Sequence, residues 1–398
     1  MKKKIIIISI SIVFLLIVII SSVFLYNYLR IKNAKIEVTL IENLKLEFND
    51  KKKVSDFIES INGKIIDDYT IDSTALGTKN IKFNFMNDDN IKLSYEYQIE
   101  VIDTVKPVIW LGSSYKIQKN SDIDLTKKIL CGDNYDSNPN CYIEGEYDIN
   151  TIGNYPLIFK AIDSSGNTNE VNFTLNVLES TNNSSNYTKS STEFNQVYEK
   201  YKTEKNKIGL DISSWQGDVD FEKIKNAGVD FVMIRVGYTN GIDGEYILDT
   251  KFIQNIEAAN KYDIDAGVYF YSYANSIESA KKDAKWVLKQ IKDYNIKLPI
   301  AFDWEEWNNF NDYNLSFFGL TNMAEVFLDT IEKSGYNGML YSSKSYLENI
   351  WLPTDHDIWL AHYTDNTDYN GEYKMWQLCN NGKIDGINGD VDIDIMYK

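Results

Sequence analysis

Pro299–Glu305 reads PIAFDWE, a short apolar run that ends in two nearby carboxylates. Read as a strand, it turns Asp303 and Glu305 to one face and Phe302 and Trp304 to the other, because residues i and i+2 share a face. The runs on either side repeat the arrangement. Upstream lie KIGLDIS (207–213), DFVMIRVGY (230–238) and DAGVYFYSY (265–273). Downstream lie GMLYSS (338–343), IWLAHY (358–363), KMWQLC (374–379) and DVDIDIMY (390–397). Helical stretches separate the earlier runs: FEKIKNA (221–227), KFIQNIEAANKY (251–262), SIESAKKDAKWVLKQIKDY (276–294), TNMAEVFLDTIEKSG (321–335) and SKSYLENIW (343–351). In the second of these, Phe252, Ile256 and Ala259 fall on one helical face. Eight strands and five helices over 207–398 predict an α/β barrel whose last helices are replaced by loops.

The active site of such a barrel lies at the C-terminal ends of its strands. Acids collect there. The first strand ends at Asp211, the fourth at Asp303 and Glu305, and the last carries Asp392 and Asp394. One acid at a strand end is often a cap or turn former; a group of them at one mouth is not. Packed carboxylates repel, so at least one holds its proton near neutrality. A protonated acid beside ionised ones is what cleavage of a glycosidic bond needs. Seven of the eight tryptophans also fall in 207–398. Trp215, Trp307 and Trp376 are placed to stack on sugar rings, whereas Trp286 and Trp304 read as core.

Several motifs carry a resemblance. GLDISSWQGDVDF (209–221), GVYFYSYA (267–274), IAFDWE (300–305), IWLAHY (358–363), MWQ (375–377) and DVDID (390–394) look like family 25 glycoside hydrolases, the N-acetylmuramidases or Chalaropsis-type lysozymes. The resemblance covers 207–398, with the motifs in the family's order. It implies a barrel of eight strands and five helices, and hydrolysis of the β-1,4 bond that follows N-acetylmuramic acid in peptidoglycan. It implies Glu305 as general acid, Asp303 as its partner carboxylate, and Asp211 and Asp392 as the other acids of the cleft. Tyr269 and Tyr271 fall in the motif that lines the sugar groove, Trp376 in another, and His362 in a third. Asp394 stands where the family commonly has Asn. The resemblance leaves two second steps open: attack by water, or participation of the substrate's own 2-acetamido group with Asp303 orienting it. Substrate assistance is the reading taken forward. No cofactor or metal is implied.

The N-terminal half reads differently. Ile5–Leu25 is an uncharged run of 21 residues after MKKK, long enough to cross a hydrocarbon core. No small-residue cleavage site follows, so residues 1–35 are expected to be an uncleaved single-pass anchor with a cytoplasmic N-terminus. Residues 36–178 show short alternating runs with polar turns between them. Tyr69–Phe85 resembles Tyr147–Ala161, a repeat of roughly 75–80 residues that suits small β-sandwiches. Two modules are expected, 36–104 and 105–178. The second resembles bacterial immunoglobulin-like surface modules through DTVKPVI (103–109) and AIDSSGNTNEVNFTLNV (161–177). Cys131 and Cys141 flank its loop and suit a disulfide outside the membrane. The acidic loop Asp133–Asn138 lacks the Gly and distal Glu of an EF-hand and reads as a solvated turn. Residues 179–206 are rich in Ser, Thr and Asn and read as a linker that turns helical near Phe194–Tyr201. Cys379 and His356 are expected to be a buried small residue and a surface-loop residue.

Charge divides along the same lines. The net charge is −17, but residues 1–35 carry six basic residues and no acid. The acidic balance argues against nucleic acid as a partner. Two histidines and three cysteines leave little for histidine-centred nucleophilic catalysis or a disulfide scaffold. The expected protein is a membrane-bound extracellular enzyme whose partners are peptidoglycan strands, the membrane, and envelope or secretion-apparatus proteins. The competing expectation is a wall-binding or adhesive surface protein that uses the same groove without turnover.

Overall fold

Alternating burial organises the N-terminal half. The computed structural model describes residues 2–180 and 191–398, which separate into two units, Met1–Thr104 and Val105–Lys398. In the first unit the helix Lys2–Lys32 holds a stretch, Phe14–Lys32, long and apolar enough to cross a membrane, with none of it buried in the protein. After it, the hairpin Gly77–Asn87 with Lys92–Ile102 turns Ile81, Phe83, Phe85, Tyr97 and Ile99 inward. That hairpin is flanked by Gly63–Ile65 and, in parallel, by Lys45–Glu47, while Val38–Leu40 pairs with Ile58–Ile61 in a second sheet.

The second unit begins with the same connectivity. The hairpin Gly153–Ile162 with Thr168–Leu178 is flanked by Asn140–Glu144 and, in parallel, by Ser114–Gln118. Val108–Ile109 pairs with Cys131–Gly132 in a second sheet. A disulfide joins Cys131 to Cys141. The acidic loop is solvated at Ser137 and Asn138 as expected but not at its first residue. Asp133 is fully buried, and its carboxylate accepts from the backbone N–H groups of Tyr135 and Asp136, so it closes a turn.

Eight strands then form a barrel: Asn206–Ile212, Phe231–Thr239, Asp265–Tyr271, Ile300–Asp303, Gly338–Ser343, Asp357–Ala361, Met375–Lys383 and Val391–Tyr397. Neighbours among the first seven run parallel. Val391–Tyr397 closes the ring antiparallel to both the first and the seventh. Among the described residues five helices follow the first strand, the longest being Ile277–Ile291 and Phe317–Glu332. Outward-facing Ile208, Leu210, Val232 and Ile234 pack under them, while Phe231, Met233, Met339 and Met375 fill the interior. Gly209 makes room for that filling, since a Cβ there would lie 2.5 Å from the Phe231 ring.

Residues 191–206 are not a free linker. Thr192–Glu193 pairs with the seventh strand, and Phe194–Tyr201 is a helix whose Phe194 and Val197 enter the barrel core. Residues 181–190 of that expected linker lie outside the described residues.

His356 departs from its expected surface position as well. Its side chain is only 8% exposed and is held by Glu332 at 3.0 Å and Glu325 at 3.5 Å from the helix Phe317–Glu332. Hydrogen bonding to Glu325, and then to Glu332, raises the imidazole to about 9. A group raised on folding stabilises fully below its unfolded value, about 6.5, and that contribution is lost as pH rises through about 9. His356→Gln is therefore expected to lower the melting temperature at pH 6 and to lower it far less at pH 10. An equal loss at both values would refute the charged pairing.

Candidate active site

The mouth of the barrel gathers the expected acids. Asp211, Asp303, Glu305 and Asp392 line one cleft of about 370 Å³ with Trp215, Arg235, Tyr269, Tyr271, Tyr341, Trp359, Tyr363 and Asn380. Register explains much of this. Asp211 pairs with Asp392 across the first and last strands, and Asp303 aligns with Tyr271 and Tyr341 on its two neighbours.

Glu305 reaches the cleft by a different route from the one the alternation predicts. The strand ends at Asp303. Trp304 is fully buried, and its indole N–H donates to the Ala274 carbonyl at 3.1 Å. That anchor ends the ladder and presents Glu305 from the following turn, where the Trp307 N–H donates to the Glu305 carbonyl at 2.8 Å. Tyr271 donates to Glu306 at 3.0 Å, and Asn309 donates to the same carboxylate at 3.0 Å, which steadies the residue next to Glu305.

The electrostatics favour a shared proton. Burial, and next the charge of Glu306, raises Glu305 above the ordinary carboxylate range. Burial, then Glu305 and Asp211, hold Asp303 well above it, while Arg235 pulls it back. Asp211 is raised by burial and by Asp392, and lowered by a hydrogen bond from Tyr269 and by Arg235. Gln377 donates to Asp211 and to Asp392 at 3.3 Å each. Its carbonyl accepts from Tyr341 at 2.8 Å and Tyr363 at 3.1 Å, which fixes the amide's orientation. Asp303 Oδ1 is buried and has no hydrogen-bond partner among the described residues.

Three expected sugar contacts do not line the cleft. Trp307 packs against Trp304, Trp351 and Tyr346, because the chain after Glu305 curls back as a 3-10 helix, Trp307–Tyr313. Trp376 is buried, and its N–H donates to the His362 carbonyl. The His362 ring meets the Thr367 hydroxyl at 2.9 Å and serves its own loop. Trp215, by contrast, is 83% exposed at the rim. Asp394, buried and raised by burial and by Asp211, accepts from the Trp359 N–H at 2.8 Å and so supports the cleft from beneath.

Arg235 was not singled out by sequence. The available signal was that it is the only arginine after Arg30 and the only charge within the apolar run Phe231–Thr239. It pairs with Asp249 at 2.7 Å and donates to Ser214 at 3.0 Å. Arg235→Gln removes a charge that lowers Asp211 and Asp303, so both rise and fewer of them are ionised at a given pH. The acid limb of kcat/KM is expected to move to higher pH, and Arg235→Lys to leave it near wild type. The Gln variant also strands buried Asp249, at a cost of about 3–5 kcal/mol. A pH–rate profile with an unmoved limb would exclude this role.

Residues 210–387 match the family model described as Glycosyl hydrolases family 25. YegX of Escherichia coli strain K12 is 25% identical over 193 residues, 47% of this chain and 68% of that one. The autolytic lysozyme of Clostridium acetobutylicum is 24% identical over 189 residues, 47% of this chain and 54% of its own. The modular autolysin LytC of Streptococcus pneumoniae, solved with a synthetic peptidoglycan ligand, is 28% identical with a TM-score of 0.45, covering 60% of this chain and 56% of that one. The chain thus spans little more than half the length of these last two.

Proposed function

We propose that the barrel, a glycoside hydrolase domain of family 25, cleaves the β-1,4 bond between N-acetylmuramic acid and N-acetylglucosamine in peptidoglycan. The observation that carries this is the placing of Glu305, raised above the ordinary carboxylate range, beside buried Asp303 in a carboxylate-lined cleft. Glu305 protonates the departing glycosidic oxygen. The substrate's acetamido oxygen closes on the anomeric carbon, and Asp303 holds the acetamido N–H. Water then opens that intermediate, with Glu305, now ionised, taking its proton. Asp211 and Asp392, bridged by Gln377, bind and orient the sugar; Tyr269, Tyr271 and exposed Trp215 offer it further surface.

The helix Lys2–Lys32 is a single-pass anchor in this reading, and the barrel works on the outer face of the membrane of a Gram-positive-type bacterium, beside envelope or secretion-apparatus proteins. The two β modules are immunoglobulin-like units that set its reach. An acidic enzyme before an anionic wall is not held there by charge, so anchor and modules supply the positioning.

Mass spectrometry of products from defined peptidoglycan strands tests the bond and the stereochemistry together. Strands ending in reducing N-acetylmuramic acid, released first as the β anomer, are expected. Reducing N-acetylglucosamine ends would overturn the bond assignment, and α-anomer release would overturn substrate assistance. Binding of wall without any new reducing ends would favour the adhesive alternative.

A further inference from the structure

The second β module does more than precede the barrel. Asn311, in the turn after Glu305, accepts from the Cys131 N–H at 3.0 Å and donates to the Thr126 and Ile129 carbonyls, each at 2.9 Å. The N–H groups of Phe317 and Phe318, which open the helix after that turn, donate to the carbonyls of Asp133 and Asn134. Gly132 permits this approach, since a Cβ there would stand 2.6 Å from the Phe317 ring and 2.8 Å from Phe310. Leu130 of the module joins the barrel's own core. Module and barrel are one packed body on this side.

Trp110 lies at the edge of that junction. Its backbone N–H donates to Leu130, and its ring meets Tyr346 at 5.2 Å between centroids. Tyr346 stacks at 3.9 Å on Trp307, two residues beyond Glu305. Burial, and next the charge of Glu305, raises the Tyr346 hydroxyl, so the row of rings begins within electrostatic reach of the acid. Asn311, Gly132 and Leu130 already supply the docking. Trp110 remains 37% exposed, so part of a large aromatic side chain stays open to solvent. Flat rings of this kind pack against the C–H faces of pyranose sugars while their edges remain wet.

We infer that Trp110 and Tyr346 form an outlying sugar-binding position, so that the second module supplies one end of the glycan cleft. The ligand is a chain of N-acetylated hexosamines, and the inference rests on the glycan-cleaving reading of the barrel. A strand long enough to pass from Glu305 to Trp110 gains the contact, whereas a tetrasaccharide centred on the acids does not.

The test compares Trp110→Ala and Trp110→Phe in the full chain. For long glycan strands, Trp110→Ala is expected to raise KM about tenfold with kcat unchanged, an effect on the scale of one lost ring contact. Hydrolysis of a tetrasaccharide and the melting temperature should match wild type, and Trp110→Phe should recover most of the loss. Equal loss on both substrates, no loss on either, or no recovery by Phe would overturn the inference. The same substitutions in a Glu305→Gln background are read by the dissociation constant for long strands. That measurement needs no turnover, so it separates the fate of this position from that of the hydrolase reading. Weakened binding upholds the position even when wild type releases no ends, and unchanged binding refutes it.

Discussion

Glu305→Gln is expected to reduce release of reducing ends from purified wall by at least about 1,000-fold, the upper part of the range for loss of a general acid. A sugar alkoxide leaves slowly unless a proton arrives as the bond breaks. Gln keeps the shape of the side chain and donates a hydrogen bond, but it delivers no proton. The fold should tolerate the change. Burial and Glu306 both disfavour the charged form of Glu305 in the native state. A raised carboxyl costs stability progressively as pH rises from its unfolded value, about 4.5, and in full above its folded value, so the variant should melt at or above wild type, with the gain smallest in acid and largest once that cost is complete. In wild type the same shift moves the alkaline limb of activity upward, because the acid keeps its proton further. An aryl glycoside whose leaving group needs no proton should be cleaved by the variant far better, relative to wild type, than a natural strand. Residual activity on wall above about a tenth of wild type would place the general acid elsewhere, since that loss is smaller than an acid normally causes.

Much of this site was legible because strand ends are legible. Asp211 and Asp303 follow short apolar runs, and the barrel rule says where such ends converge, whereas Asp392 lies near the start of the last strand and joins them because that strand runs antiparallel. What alternation missed has local causes. Trp307 follows Glu305 by two residues, but the intervening chain has left the ladder at Trp304, so period-2 reasoning no longer applies to it. Trp376 sits on a strand, but on the face opposite its neighbour Gln377, and it is Gln377 that reaches the cleft acids. Gln377 itself gives no chemical signal until the pairing of the seventh and last strands sets its amide between two carboxylates. The module's docking was the least legible feature. Its key bond, Cys131 to Asn311, spans 180 residues, and the Ser- and Asn-rich stretch between module and barrel reads as a tether rather than as a sign of contact.

Asp303→Asn tests the second step, and it is expected to lower kcat by about 100- to 1,000-fold, the usual loss when one preorganised electrostatic partner is removed. Asp303 Oδ1 is buried without a partner among the described residues, and a buried acceptor left open in the apo protein is costly unless something else fills it. A substrate amide N–H is a group that would fill it. Accepting from that N–H turns the acetamido oxygen toward the anomeric carbon and offsets the positive charge that grows on the closing ring. Asn presents an oxygen to the same N–H without the charge, so it should preserve much of the binding and lose the rate, with KM nearly unchanged. The decisive comparison uses strands whose acetamido groups have been removed. Wild type should be slow on them already, because the internal nucleophile is gone, and Asp303→Asn should add little further loss. If the variant instead loses the same factor on acetylated and deacetylated strands, Asp303 acts on water or on the sugar ring directly, and the acetamido group is a bystander. The two losses are additive in that case and overlapping in the first, so a double comparison of substrate and side chain separates them without any structure of the complex.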